Sequence, residues 1–119
     1  MMRSHMIHLG TAIFEPSGYI TAANINDFQE KLIDFVSSNT QRDFLVDMHQ
    51  VEFIDSAGLM AIVSAFRIAQ RLNKRFSVCS LSPSVRIIFE LTQLDRALKI
   101  YENMKAYEAS IQEQEIVAA

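Results

Sequence analysis

The chain has 119 residues, of which 50% are hydrophobic and 21% charged, enough for one domain with a real core and too apolar for intrinsic disorder. Eleven basic against fourteen acidic residues give a net charge of −3, which argues against nucleic acid or an anionic membrane as partner. The longest uncharged stretches, such as Ser56 to Phe66, reach about 11 residues where a membrane span needs ~20, and the lone Cys79 permits no internal disulfide, which fits a reducing, cytoplasmic setting.

Residues 1–6, Met-Met-Arg-Ser-His-Met, carry no apolar run and read as no signal peptide. With a second start-like methionine at Met6, they are set aside as a disordered lead or an expression remnant. Ile7 to Glu15 places Ile7, Leu9, Thr11 and Ile13 on one face at period two, the pattern of a strand. Pro16-Ser17-Gly18 is turn chemistry, and Tyr19-Ile20-Thr21 reads as a short strand returning beside the first. Ile25, Phe28, Leu32, Phe35 and Val36 recur at helical spacing, with Asn24 or Asn26 available as cap. Asp43 to Met48 holds Phe44, Leu45 and Val46 and reads as a buried strand. A loop then leads to Asp55-Ser56, which opens a long helix to about Lys74. Phe76 to Ser80 is a further strand, and Pro83 starts a short helix over Ser84–Leu91. Leu98 to Tyr101 and Met104 to Gln112 complete the set as strand and helix, and residues 113–119 read as a frayed tail. The expectation is one α/β domain over residues 7–112. Its sheet is mixed, with four to five strands and about four helices mainly on one face.

The segment Val46 to Leu59 carries the most information. A strand ends, a loop crosses, and Asp55-Ser56 meets a helix. Asp or Ser in that position accepts hydrogen bonds from the unpaired first-turn amides, so the plain reading is an N-cap worth ~1 kcal/mol. Along the helix, Leu59, Ile62, Val63, Phe66 and Ala69 form an apolar arc, widened by Ala61, Ala65, Ile68 and Leu72. The opposite stripe is Ser56, Met60, Ser64, Arg67, Arg71 and Lys74. An exposed Met beside a hydroxyl suits an adaptable interaction patch, although single exposed apolar residues are also ordinary.

With these residues the sequence resembles the STAS domain family, and within it the stand-alone bacterial anti-sigma factor antagonists. The resemblance rests on Asp47 to Leu59, with its Asp-Ser-Ala-Gly-Leu run. It continues through Ser82-Pro83-Ser84-Val85-Arg86, Glu90 to Arg96, and Ile100-Tyr101. It implies a STAS-type fold and a partner-switching role. The unphosphorylated chain would bind a serine-kinase-type anti-sigma factor. Phosphorylation of Ser56 would release it, and a PP2C-type phosphatase would reset it. The resemblance therefore implies no catalytic residue and no cofactor of the chain's own. A partner surface follows at Asp55, Ser56, Ala57, Gly58, Met60, Ser64, Arg67 and Thr21. Thr21 stands where the family often carries an acid, and His49-Gln50 replace the small residues usual in the loop. A second reading is a STAS sensor or scaffold that binds a small apolar ligand or its relatives without cycling phosphate. Monomer and weak dimer both stay open.

The other candidates are weaker. His5, His8 and His49 lack metal-ligand spacing, so no metal site is expected. Cys79 falls in a strand and reads as core. Three scattered glycines form no phosphate-binding loop. Asp47 and Asp55 read as structural rather than as a catalytic pair, and no nucleophile–base set is evident.

Overall fold

Alternation along the strands sorts the side chains of this protein into two opposed layers. A computed structural model describes residues 3–6 and 10–118, with side chains from 10 to 113. In chain order the strands are β1 (Arg3–Met6), β2 (Thr11–Glu15), β3 (Ser17–Ile20), β4 (Asp43–Asp47), β5 (Gln50–Ile54), β6 (Arg75–Cys79) and β7 (Lys99–Tyr101). The helices are α1 (Ile25–Ser38), α2 (Ser56–Arg71), α3 (Pro83–Leu91), α4 (Leu94–Ala97) and α5 (Met104–Ala118). The main sheet runs β1-β2-β4-β6-β7. Its β2, β4, β6 and β7 are parallel, and β1 is antiparallel at the edge.

Every residue of β4 is buried, as expected of a central parallel strand covered on both faces. Phe44 and Val46 join Ala12, Phe14, Phe76 and Val78 in a core closed by α1, α2, α3 and α4. The alternate residues Ile13, Leu45 and Cys79 pack instead against Tyr107 and Ile111 of α5. The expected mixed α/β sheet, with most helices on one face, is the fold observed. Phe14, Phe28, Phe35 and Phe44 tie α1 to the sheet through ring contacts at 5.2–6.3 Å.

Several expectations need correction. Residues 1–6 are not all outside the fold, because Arg3–Met6 pair with Ala12–Glu15 as β1. A strand held by backbone pairing at an edge needs no apolar period, so its polar sequence gave no signal. Ile7 and Leu9 of the expected first strand lie outside the described residues. No hairpin joins β2 to β3. Pro16 interrupts the ladder, Gly18 takes φ +80°, and β3 pairs in parallel with β5 as a separate two-stranded sheet. Residues 50–54 are thus a strand rather than a loop. The short α4 had no recognisable period, and α5 runs on to Ala118, past the expected end at Gln112.

Lys74, expected on a solvent stripe, is also committed. Its Nζ donates to the carbonyls of Asn39 at 3.2 Å and Gln41 at 2.6 Å, and it sits 5.3 Å from the Phe44 ring centroid. These bonds join the end of α2 to the chain just beyond α1. Asp43 and Arg75 pair side by side across β4 and β6, with the Arg75 guanidinium donating to both carboxylate oxygens.

On the α5 face the buried Thr11 hydroxyl and the Tyr107 phenol are 3.1 Å apart. Burial pushes the Tyr107 phenol up to about 12. Tyr107→Phe leaves Thr11 buried without this partner, which costs about 1–3 kcal/mol. The urea midpoint should fall accordingly with an unchanged slope. A midpoint equal to wild type would mean that the Thr11–Tyr107 bond adds nothing to the hold on α5.

Candidate functional site

The two-stranded sheet delivers the chain to the start of α2. Ile20 ends β3 and Ile54 ends β5, paired in register, and both are buried. Gly58 lies in the first turn of α2 directly against them. A Cβ on Gly58 would stand 2.7 Å from Ile54 Cγ1, 2.8 Å from Ile20 Cγ2 and 2.9 Å from the Ile20 carbonyl oxygen. Only glycine allows this approach, because one of those atoms is backbone and cannot swing aside. The helix axis is therefore fixed against the strand ends, and its first residues are carried to the surface.

Asp55 is the N-cap. Its Oδ1 accepts from Gly58 N at 3.0 Å, and its backbone carbonyl accepts from Leu59 N at 3.0 Å. Its Oδ2 also accepts from Ala22 N at 2.9 Å, in the segment after β3. The backbone N–H of Asp55 donates to the Ile20 carbonyl at 3.1 Å. The Gly58 and Ala22 amides favour the charged carboxylate and hold Asp55 below its ordinary 3.8, with burial a smaller opposing effect.

Because Asp55 makes the cap, Ser56 is left exposed as the first helical residue, its hydroxyl outside the capping bonds. Down the same stripe, Met60 is 54% exposed, Arg67 is exposed, and Ser64 is half-buried. Ala57 and Thr21 are half-buried. Asp55 joins this group to Thr21 through Ala22, its neighbour in sequence. Gly58 is the exception. Expected on the partner surface, it is buried and serves packing.

Sequence reasoning missed two features near the site. One is the Ala22 amide, a backbone donor 33 residues from its acceptor, which no side-chain motif could reveal. The other is the exposed pair Tyr19 and Phe53, 60% and 40% accessible, with ring centroids 6.1 Å apart across β3 and β5. Tyr19 stood in an expected strand but Phe53 fell in the expected loop, and only the pairing of β3 with β5 brings the two rings together.

Elsewhere, Asp47 and Asp55 serve separate partners rather than one another. Asp47 Oδ1 accepts from His49 N at 3.1 Å and lies 2.9 Å from His49 Nδ1, while Glu15 Oε1 is 3.9 Å from that nitrogen. Glu15, Asp47 and His49 bring three possible ligand atoms within 4.8 Å of one another, a grouping that strand register makes and sequence spacing hides. Cys79 is fully buried, and its thiol is pushed up to about 12 by burial, with the Asp47 and Glu15 carboxylates adding to the effect. It is therefore no thiolate nucleophile at neutral pH. No helix among the described residues is long and apolar enough to cross a membrane.

Comparison with known proteins adds to this geometry. The family model described as "STAS domain" matches residues 5–106. A Thermotoga maritima protein named "Putative anti-sigma factor antagonist" is 30% identical over 93 residues, spanning 77% of this chain and 81% of that protein. The anti-sigma F factor antagonist of Paenibacillus polymyxa is 20% identical over 96 residues, spanning 81% and 82%. Among solved structures, the unphosphorylated anti-sigma factor antagonist SpoIIAA superposes with a TM-score of 0.75 at 15% identity, covering 94% of this chain and 97% of that one. The phosphorylated form of SpoIIAA, from Bacillus, gives 0.69 at 14% identity, covering 92% and 99%.

Two outcomes follow from the packing and the cap. Gly58→Ala overpacks the junction of α2 with β3 and β5 and should cost about 1–3 kcal/mol, read as a lower melting temperature. Retained stability would mean that Ile20 can shift freely. A carboxyl depressed by folding stabilises above its unfolded pKa, and that stabilisation is lost as pH falls through the folded value. The stability gap between wild type and Asp55→Asn should therefore be full near neutral pH and close in acid, below about pH 4. Denaturation at both pH values checks this, and a pH-independent gap would exclude any part for the charge.

Proposed function

The chain belongs to the STAS domain family, and from that premise we propose that it is an anti-sigma factor antagonist switched by phosphorylation of Ser56. In this reading the unphosphorylated protein binds a serine-kinase-type anti-sigma factor in the cytoplasm. The kinase modifies Ser56 and lets go, and a PP2C-type phosphatase restores the hydroxyl. The contact surface is Ser56 with Asp55, Ala57, Met60, Ser64, Arg67 and Thr21. ATP belongs to the kinase, so this chain is substrate and ligand rather than catalyst.

The observation that carries the reading is the exposed Ser56 hydroxyl at the first position of α2, left outside a cap that Asp55 completes. The hydroxyl is open to a kinase, and it stands on a face that includes the exposed Met60.

The energetics favour a switch in binding over a switch in folding. A phosphoryl group adds about 1.5–2 negative charges at neutral pH. The helix N-terminus favours that charge by ~0.3–1 kcal/mol, and the neighbouring Asp55 carboxylate opposes it. Both effects are small against the ~5–15 kcal/mol that holds a domain folded. At a closed interface the same charge meets desolvation and repulsion worth several kcal/mol, and ~1.4 kcal/mol already weakens binding tenfold.

Incubation with the host's serine kinases and ATP, followed by mass mapping, should place phosphate on Ser56. Ser56→Ala should stay folded and hold the kinase constitutively. Ser56→Asp should stay folded and bind at least about tenfold more weakly. Phosphate on another residue, together with wild-type affinity of Ser56→Asp, would refute the assignment.

A further inference from the structure

The segment after β3 forms a turn closed on itself. Thr21 N donates to Asn24 Oδ1 at 2.9 Å, Asn24 N to the Thr21 carbonyl at 3.0 Å, and Ala23 N to Thr21 Oγ1 at 3.3 Å. Asn24 Nδ2 donates back to the Tyr19 carbonyl at 2.7 Å. Ala22 N alone among these turn amides points across to α2, where it meets Asp55 Oδ2 at 2.9 Å. The turn is thus fastened to the helix by the carboxylate of the residue next to Ser56.

We infer that Asp55 is a positioning residue that couples modification of Ser56 to the Thr21–Asn24 turn, so that the phosphorylated protein presents a changed backbone shape there as well as an added charge. This rests on Ser56 being the phosphorylated residue.

The physical argument is competition for donors. A phosphoserine brings three acceptor oxygens and about two negative charges to the end of a helix whose first amides attract anions. The Asp55 carboxylate already holds two of the nearby amides, Gly58 N and Ala22 N. Like charge beside it disfavours the present arrangement, and the carboxylate must turn, or share its donors. Its two bonds are not equally easy to break. Gly58 is buried and locked against Ile20 and Ile54, so its amide cannot leave the first turn. Ala22 lies in an exposed turn with its own internal bonds, so its amide can leave while the turn persists. The Ala22 bond is the one that yields.

The test uses full-length protein with phosphoserine installed at position 56 during translation, so no kinase is needed. Amide exchange and chemical shifts are read by NMR in the modified and unmodified forms. Exchange at Ala22 should rise at least tenfold on modification and its amide signal should move, while amides of the buried Leu45 and Val46 stay unchanged. Ala22 exchange and shift that do not respond would overturn the inference. A second arm reads Ala22 in the unmodified protein as pH is lowered. Its shift should follow an acid titration in wild type and be flat in Asp55→Asn, a signature that a purely steric cap would not give. A flat wild-type profile would also overturn the coupling. Kinase binding separates the two readings. Loss of binding with an unmoved Ala22 sinks the coupling alone, whereas full binding by the phosphoserine protein sinks the switch itself.

Discussion

The contact of Gly58 with Ile20 and Ile54 is the constraint on which the candidate site depends. Gly58 adds no side chain of its own, so α2 seats directly on the Ile20 and Ile54 side chains and the Ile20 carbonyl. The Ile20 carbonyl limits how closely α2 approaches β3, and the Ile20 and Ile54 side chains fill the rest of the contact. Ser56 is exposed because Gly58, two residues on, is buried. Asp55 then bonds the helix to the β3 end twice, through its own N–H to Ile20 and through its carboxylate to Ala22. A rigid seat and a short polar link together place one hydroxyl at a fixed point on the surface.

The main sheet supplies the rigidity behind that seat. β4 is covered on both faces, by α1 and α2 on one side and α5 on the other. A central strand so enclosed cannot slip register without moving a whole row of side chains to the wrong layer. The Asp43–Arg75 pair and the Lys74 bonds to Asn39 and Gln41 close the end of the sheet remote from Ser56. Charge added at Ser56 therefore acts on a small local set of bonds rather than on the core.

Local chemistry was legible in the sequence, and pairing was not. The start of α2 could be read because an Asp cap and a helical apolar period are both local. β4 and β6 could be read because they are short apolar runs. β5 escaped because Glu52 and Phe53 are both exposed, which breaks the alternation that marks a strand. β3 could be seen as a strand, yet its partner lies some thirty residues on, and nothing within Tyr19-Ile20 names it. Gly58 shows the same limit within the site. A glycine in the Asp-Ser-Ala-Gly-Leu run looks like part of a contact surface, and only the Ile20 carbonyl beneath it reveals a packing role.

The thiol of Cys79 has a consequence for the kind of signal this domain can receive. Oxidants act on thiolates, and susceptibility follows ionisation and exposure. Cys79 has neither, being sealed between the sheet and α5 with its proton held up to about 12. Peroxide or a disulfide-bearing metabolite finds no reactive sulfur there in the folded protein. The domain is blind to the redox state of its surroundings through its one cysteine.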